Sequence, residues 1–136
     1  MTQIVTYAAE HFAGLDALWR EAFPDDPPRN QAAHSVPAKL AEQPELLFVA
    51  IDGEAVIGSI MAGYDGHRGW LYAVAVSEGR RSEGIGRALV AHAEAALKKR
   101  GCIKINLQVR EGNRVAGFYE RLGYFAEPRV SMGKSI

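Results

Sequence analysis

The chain has 136 residues, 48% of them hydrophobic and 24% charged, with sixteen Lys and Arg against sixteen Asp and Glu. That length suits a single compact domain over residues 1–136, able to bury roughly two-thirds of the surface its unfolded form exposes. The balanced charge provides no global positive field of the kind used to bind nucleic acid or a membrane surface, so neither partner is expected and any phosphate recognition must be local.

Residues 4–7 are a short β-branched run that predicts a first strand, and Phe12, Leu15, Leu18, Trp19 and Phe23 recur at helical spacing over residues 11–23. Pro24, Pro27 and Pro28 stop that helix, because proline lacks the amide hydrogen and restricts the residue before it. A second, short helix is predicted to begin at Ser35-Val36-Pro37, with proline in its first turn, and to end before Pro44. Residues 46–51 and 55–62 read as two strands joined across Asp52-Gly53, a hairpin signal. A turn over residues 65–69 leads into a third strand, residues 70–76, so these segments make an antiparallel meander.

Beyond a glycine-containing stretch, Ile85, Leu89, Ala93, Ala96 and Leu97 mark the buried face of a helix. Lys98, Lys99 and Arg100 before Gly101 suit its negative C-terminal end. Residues 103–109 alternate Ile103, Ile105, Leu107 and Val109 with polar residues, predicting a half-exposed strand with neighbours on both sides. A helix over residues 113–122 should stop at Gly123, and residues 124–125 and 129–132 supply final strand pieces. The expected class is α+β, a mixed and mostly antiparallel sheet with helices on both faces.

A lone cysteine, Cys102, excludes an intrachain disulfide and a thiolate metal cluster, and fits a reducing, cytoplasmic setting. The four histidines show no metal-ligand spacing, so no metal is expected. The N-terminal residues lack a basic segment followed by an apolar run, and no apolar stretch approaches the roughly 20 residues that span a bilayer, so neither export nor anchoring is expected.

The chemistry concentrates where the strand over 74–76 feeds a loop, residues 77–84, that opens into a helix. Amides at a helix start have no intrahelical partner, and glycine lets a ligand approach the backbone, so Gly84 and Gly86 can belong to an anion cradle. On these residues alone the other reading, glycines that merely permit close helix–sheet packing, stands equally. A dinucleotide-binding G-x-G-x-x-G reading fails, because the third position is Leu89 and antiparallel strands precede the loop.

Arg81-Ser82-Glu83-Gly84-Ile85-Gly86 resembles the Q/R-x-x-G-x-G/A signature of the GNAT family of N-acetyltransferases. The likeness continues downstream to Asn113, Ala116 and Phe118-Tyr119-Glu120-Arg121-Leu122-Gly123-Tyr124, and in element order it covers nearly the whole chain. The resemblance implies that acetyl-CoA is the co-substrate. Its pyrophosphate would lie on the backbone of Arg81, Ser82, Glu83, Gly84, Ile85, Gly86 and Arg87. The pantetheine arm would pair with Val74, Ala75 and Val76, with an amide near Val76 polarising the thioester carbonyl. That strand would splay from the next, residues 103–109, to leave a slot. Asn113 would contact the cofactor, although an asparagine there is equally an N-cap. Tyr119 matches the tyrosine that protonates the departing thiolate, the competing reading being a core tyrosine beside Phe118 and Leu122.

The chain departs from the family pattern at Glu78 (usually proline), Ser82 (commonly glycine) and Glu83 (often basic), and Asn113 precedes Tyr119 by six positions rather than seven. The chemistry implied is direct attack by a neutral primary amine on the thioester in a ternary complex. Cys102 reads as a small buried residue rather than a nucleophile. Tyr72, Asp65 and His67 are candidate bases whose ordinary readings are structural or solvated. The resemblance assigns acceptor choice to residues 21–42 and 127–135, where Asp25 and Asp26 could attract a cation, and leaves a small or a protein amine open. A CoA-binding sensor or scaffold without turnover is the alternative, and an apolar edge near the final strands would allow a homodimer.

Overall fold

A computed structural model describes residues 1–110 and 115–136. One five-stranded sheet runs in the order β1 (Thr2–Thr6), β2 (Leu47–Asp52), β3 (Ala55–Tyr64), β4 (Gly69–Val76) and β5 (Ile105–Leu107). The pairings are antiparallel except for β4 with β5, which is parallel. The predicted hairpin closes with Asp52 opposite Ala55, Gly53 taking a φ of +63° that a side chain would oppose. The next turn is tied by Asp65, whose Oδ1 accepts the amides of His67 and Arg68, each at 2.8 Å.

Alternation along the strands divides the core into two layers. Phe48, Ala50, Ile60 and Leu71 face helix α3 (Ile85–Lys99), which contributes Ile85, Leu89, Val90, Ala93 and Leu97. Leu47, Val49, Met61 and Ala75 face the opposite way, onto Leu15, Leu18 and Trp19 of helix α1 (Phe12–Ala22) and Ala32 and Val36 of helix α2 (Ala32–Glu42). Each such Leu, Ile or Val, fully buried, contributes about 1.5–3 kcal/mol, so both faces need their helices. A short helix α4 (Ala116–Arg121) follows β5.

Four expectations need correction. Helix α2 starts at Ala32, three residues before Ser35, and carries Pro37 inside it; Val36 and Ala32 both face the core, and that burial outweighs proline's missing hydrogen bond. The strand predicted over residues 103–109 pairs only over Ile105–Leu107, and among the described residues only with β4, so it is an edge and not an interior strand. Ile103 is 91% exposed. No strand forms at 124–125 or 129–132; side chains hold that segment beside β5 instead, Glu127 accepting from Lys104 Nζ at 2.6 Å and Asn106 Nδ2 at 2.8 Å, and Gln108 donating to Ser131. The helix predicted over 113–122 is described as Ala116–Arg121, and Asn113 lies outside the described residues.

Candidate active site

Strand β4 is where the sheet opens. Its ladder with β3 continues to Val76 opposite Gly58, whereas its ladder with β5 ends at Leu71 opposite Leu107. From Tyr72 onward β4 therefore presents one backbone edge to a slot rather than to a strand, and unpaired strand groups are ready acceptors and donors for an extended ligand. Val74, Ala75 and Val76 line this slot.

A bulge turns β4 just before the slot. Ser59 pairs with Ala75 but Met61 with Tyr72, so β4 has one residue more than β3 there, and Ala73 takes a φ of +52°. Such a conformation costs a non-glycine residue about 1–3 kcal/mol, and a buried chain of hydrogen bonds holds it. The Trp19 indole Nε1 donates to Ser59 Oγ at 2.9 Å, and that hydroxyl donates to Ala73 O at 2.8 Å. Ser59 is fully buried and both its hydrogen-bonding roles are satisfied. Sequence reading missed this residue; its one signal is a serine in an otherwise apolar strand.

Past Val76 the chain makes a single turn, Glu78–Arg80, then a loop into α3. Glu21 at the end of α1 accepts the Glu78 amide at 2.8 Å, and Arg80 donates through Nη1 to Asp52 at 2.9 Å and through Nε to Glu83 at 3.0 Å. The loop is thus tied to α1 and to the β2–β3 turn. These ties also resolve the acidic departure at Glu83: its carboxylate is drawn onto Arg80 and, unlike its neighbours in the loop, does not line the cleft.

The loop backbone has the form of an anion cradle. Ser82 and Gly84 have φ of +72° and +80°, two left-handed positions within the three residues that lead into α3. No side chain caps α3, and its first helical bond runs from Ala88 N to Gly84 O at 3.0 Å. The amides of Ile85, Gly86 and Arg87 therefore lack helical partners while the helix dipole places partial positive charge there. Arg81, Ser82, Gly84, Ile85, Gly86 and Arg87 line the same cleft as Val74–Val76. The two glycines differ in what their positions require. Gly84 adopts the left-handed conformation, while Gly86 permits close packing, since a methyl group added there would stand 3.3 Å from Phe118 Cζ and 3.7 Å from Val76 Cγ2.

That packing brings α4 to the cradle. Tyr119 lines the cleft, half-buried between Phe118 and Tyr124 with ring centroids 5.0 and 6.0 Å away. Burial raises its phenol above the usual range near 10, so it retains its proton at neutral pH. Tyr124 instead donates to Glu94 at 2.6 Å. Of the other candidates, Asp65 ties its turn and the Cys102 thiol donates to Lys104 O at 3.3 Å, while Tyr72 lines the cleft. Among the described residues no cluster of His, Cys, Asp or Glu could hold a metal ion, and no helix is long and apolar enough to cross a membrane.

The acetyltransferase (GNAT) family model matches residues 7–124, which include β4, the loop and α3. The chain belongs to the GNAT family. An acetyltransferase of Yersinia enterocolitica is 41% identical over 110 residues, covering 80% of this chain and 78% of its own length. One from Pectobacterium atrosepticum is 38% identical over 136 residues, covering 98% and 95%. A chain of the NatC complex, solved bound to Gag peptide and CoA, superposes with a TM-score of 0.79 at 25% identity, covering 94% of this chain and 87% of that one. The family and these relatives make the chain an acetyltransferase, with the mixed five-stranded GNAT sheet.

Proposed function

We propose that the chain is an acetyl-CoA-dependent N-acetyltransferase, a single domain acting in the cytoplasm on a primary amine in a ternary complex. The observation that carries this reading is the joining of three parts in one cleft: the open edge of β4 from Tyr72 to Val76, the uncapped start of α3, and the protonated Tyr119. The amides of residues 82–87 hold the pyrophosphate, with Arg81 and Arg87 adding local positive charge. The edge of Val74–Val76 hydrogen-bonds the pantetheine arm, and an amide near Val76 donates to the thioester oxygen as negative charge develops there. The neutral amine forms the new C–N bond, the C–S bond breaks, and Tyr119 gives its phenolic proton to the departing sulfur. The amine's surplus proton leaves to solvent.

The test is thiol release from acetyl-CoA across a broad panel of amines, alongside calorimetric titration of CoA. Acceptor-dependent release is the expected result. Tight CoA binding with no transfer to any amine would instead favour a sensor or scaffold.

A further inference from the structure

We infer that Ser59, with Trp19 behind it, is a positioning residue for acetyl transfer: through the Ala73 carbonyl it sets which amides of β4 face the slot. The inference rests on the N-acetyltransferase reading above and adds to it two side chains that act through the backbone.

Backbone groups along a strand turn alternately toward its two sides, and on β4 that alternation changes phase at the bulge. Before the bulge, the Gly69 amide donates to Lys104 O at 2.9 Å, so Gly69 and Leu71 turn their backbone groups toward β5. Past the bulge, the Ser77 amide donates to Ile57 O at 2.8 Å, and Ala75 stands opposite Ser59 in the same ladder, so Ala75 and Ser77 turn toward β3. Val74 and Val76 therefore turn toward the slot, and Arg81 Nε reaches Val76 O from that side at 3.4 Å. The side chains report the same change. Leu71, Val74 and Val76 pack on the α3 side of the sheet, whereas Ala73 and Ala75 pack toward α1.

One extra residue in β4 is thus what presents the amide of Val76, rather than that of Ala75, to the slot. Ala73 carries the strain of that insertion, a φ of +52°, and its carbonyl accepts the Ser59 hydroxyl at 2.8 Å. Trp19 Nε1 donates to the same hydroxyl oxygen at 2.9 Å, which leaves the hydroxyl's own proton for Ala73 O. Because Trp19 belongs to α1, the phase of β4 is fastened to a helix that packs on the sheet. Without the hydroxyl, Ala73 O loses this donor, and a slip of one residue that relieved the strain would turn Val74 and Val76 away from the slot.

The experiment is isotope-edited infrared spectroscopy of acetyl-CoA, labelled at the carbonyl carbon and bound to the parent and to three variants. An amide aimed at the thioester oxygen weakens the C=O bond, so the bound carbonyl band should lie at lower frequency than that of free acetyl-CoA. Ser59→Ala should lose about half or more of that displacement, and Trp19→Phe, which keeps the Ser59 hydroxyl, should lose less. Val36→Ala, a truncation in the same core layer, should keep the parent's band, because lost stability alone does not redirect an amide. A Ser59→Ala band equal to the parent's overturns the positioning role, and an unchanged Trp19→Phe band does so should Ser59→Ala fail to fold. A parent that binds acetyl-CoA with no displacement also overturns it and leaves the cofactor reading intact. No binding of acetyl-CoA by the parent overturns both.

Discussion

The two ends of the cleft are built from different materials. The cradle over residues 77–87 is a backbone object: positive φ at Ser82 and Gly84 and three amides without helical partners define it, while Arg80 and Glu83 turn to each other. The wall at Tyr72 is a side-chain object, made of Trp70, Tyr72 and the ion pair of Lys104, just before β5, with Glu127, after α4. Backbone geometry needs only a few glycines and a strand–helix junction, so one cradle serves many acceptors, and the side-chain wall is free to vary.

Tyr119→Phe tests the chemistry that both ends serve and has the largest expected effect. Loss of a positioned acid should lower kcat about 100-fold or more, with little change in CoA affinity by calorimetry. A kcat within twofold of the parent would leave Tyr119 as a packing residue. Because burial raises its pKa, any fall in kcat from phenol ionisation should be centred above the usual phenol value. The protonated acid is the active form, so activity is present below that range and lost as pH rises through the raised value. A basic limb centred near neutrality would belong to another group.

Gly84 separates backbone from charge within the cradle. Asp and Asn are both good N-caps and tolerate left-handed φ, and nothing lies within 4 Å of the position a Cβ would take at Gly84. Gly84→Asn and Gly84→Asp therefore add the same bulk and the same competing cap for the Gly86 and Arg87 amides, and differ only in charge. Gly84→Asp adds a charge near the pyrophosphate, a repulsion of about 3 kcal/mol at 5 Å and an effective dielectric of 20 before screening. A Kd about tenfold or more weaker than that of Gly84→Asn is expected, shrinking in high salt. Equal affinities would place the pyrophosphate elsewhere.

The same contrast explains what was legible in the sequence. Arg81 to Gly86 follows a β-branched strand and opens an apolar helical repeat, so the junction could be read without coordinates. The hairpin at Asp52-Gly53 and the buried stripe from Ile85 to Leu97 were readable for the same reason, since local periodicity and turn chemistry determine them. Residues 124–132 were not: their apolar residues resemble strand pieces, yet side chains of Lys104, Asn106 and Gln108, distant in sequence, hold that segment. Pro37 misled in a similar way, because burial of Ala32 sets the start of α2. The bulge at Ala73 depends on Trp19, Ser59 and the β3 register together, a coincidence no window of sequence contains.

Ser59→Ala probes that bulge. It leaves the buried Trp19 Nε1 and Ala73 O unpartnered, at a cost of about 1–3 kcal/mol in urea unfolding. An unchanged midpoint would mean that water or a shifted strand satisfies both groups.

The smallest effect is expected at Ser82, and its sign is the informative part. Ser82 stands where the family commonly has glycine, and its φ of +72° is the conformation glycine adopts without strain. An L residue there costs about 1–2 kcal/mol, whereas glycine costs roughly 0.5–1 kcal/mol through the extra freedom of the unfolded chain. Ser82→Gly should therefore stabilise the protein by up to about 1.5 kcal/mol, the difference between those two. On the proposed reading, in which the Ser82 amide and not its hydroxyl holds the pyrophosphate, CoA affinity should stay within about twofold. Thermal unfolding and calorimetry on the same sample read both. A stability loss would show that the serine hydroxyl supports the loop, and weakened CoA binding would show that it reaches the ligand, which would make one point of the cradle depend on a side chain as the acceptor wall does.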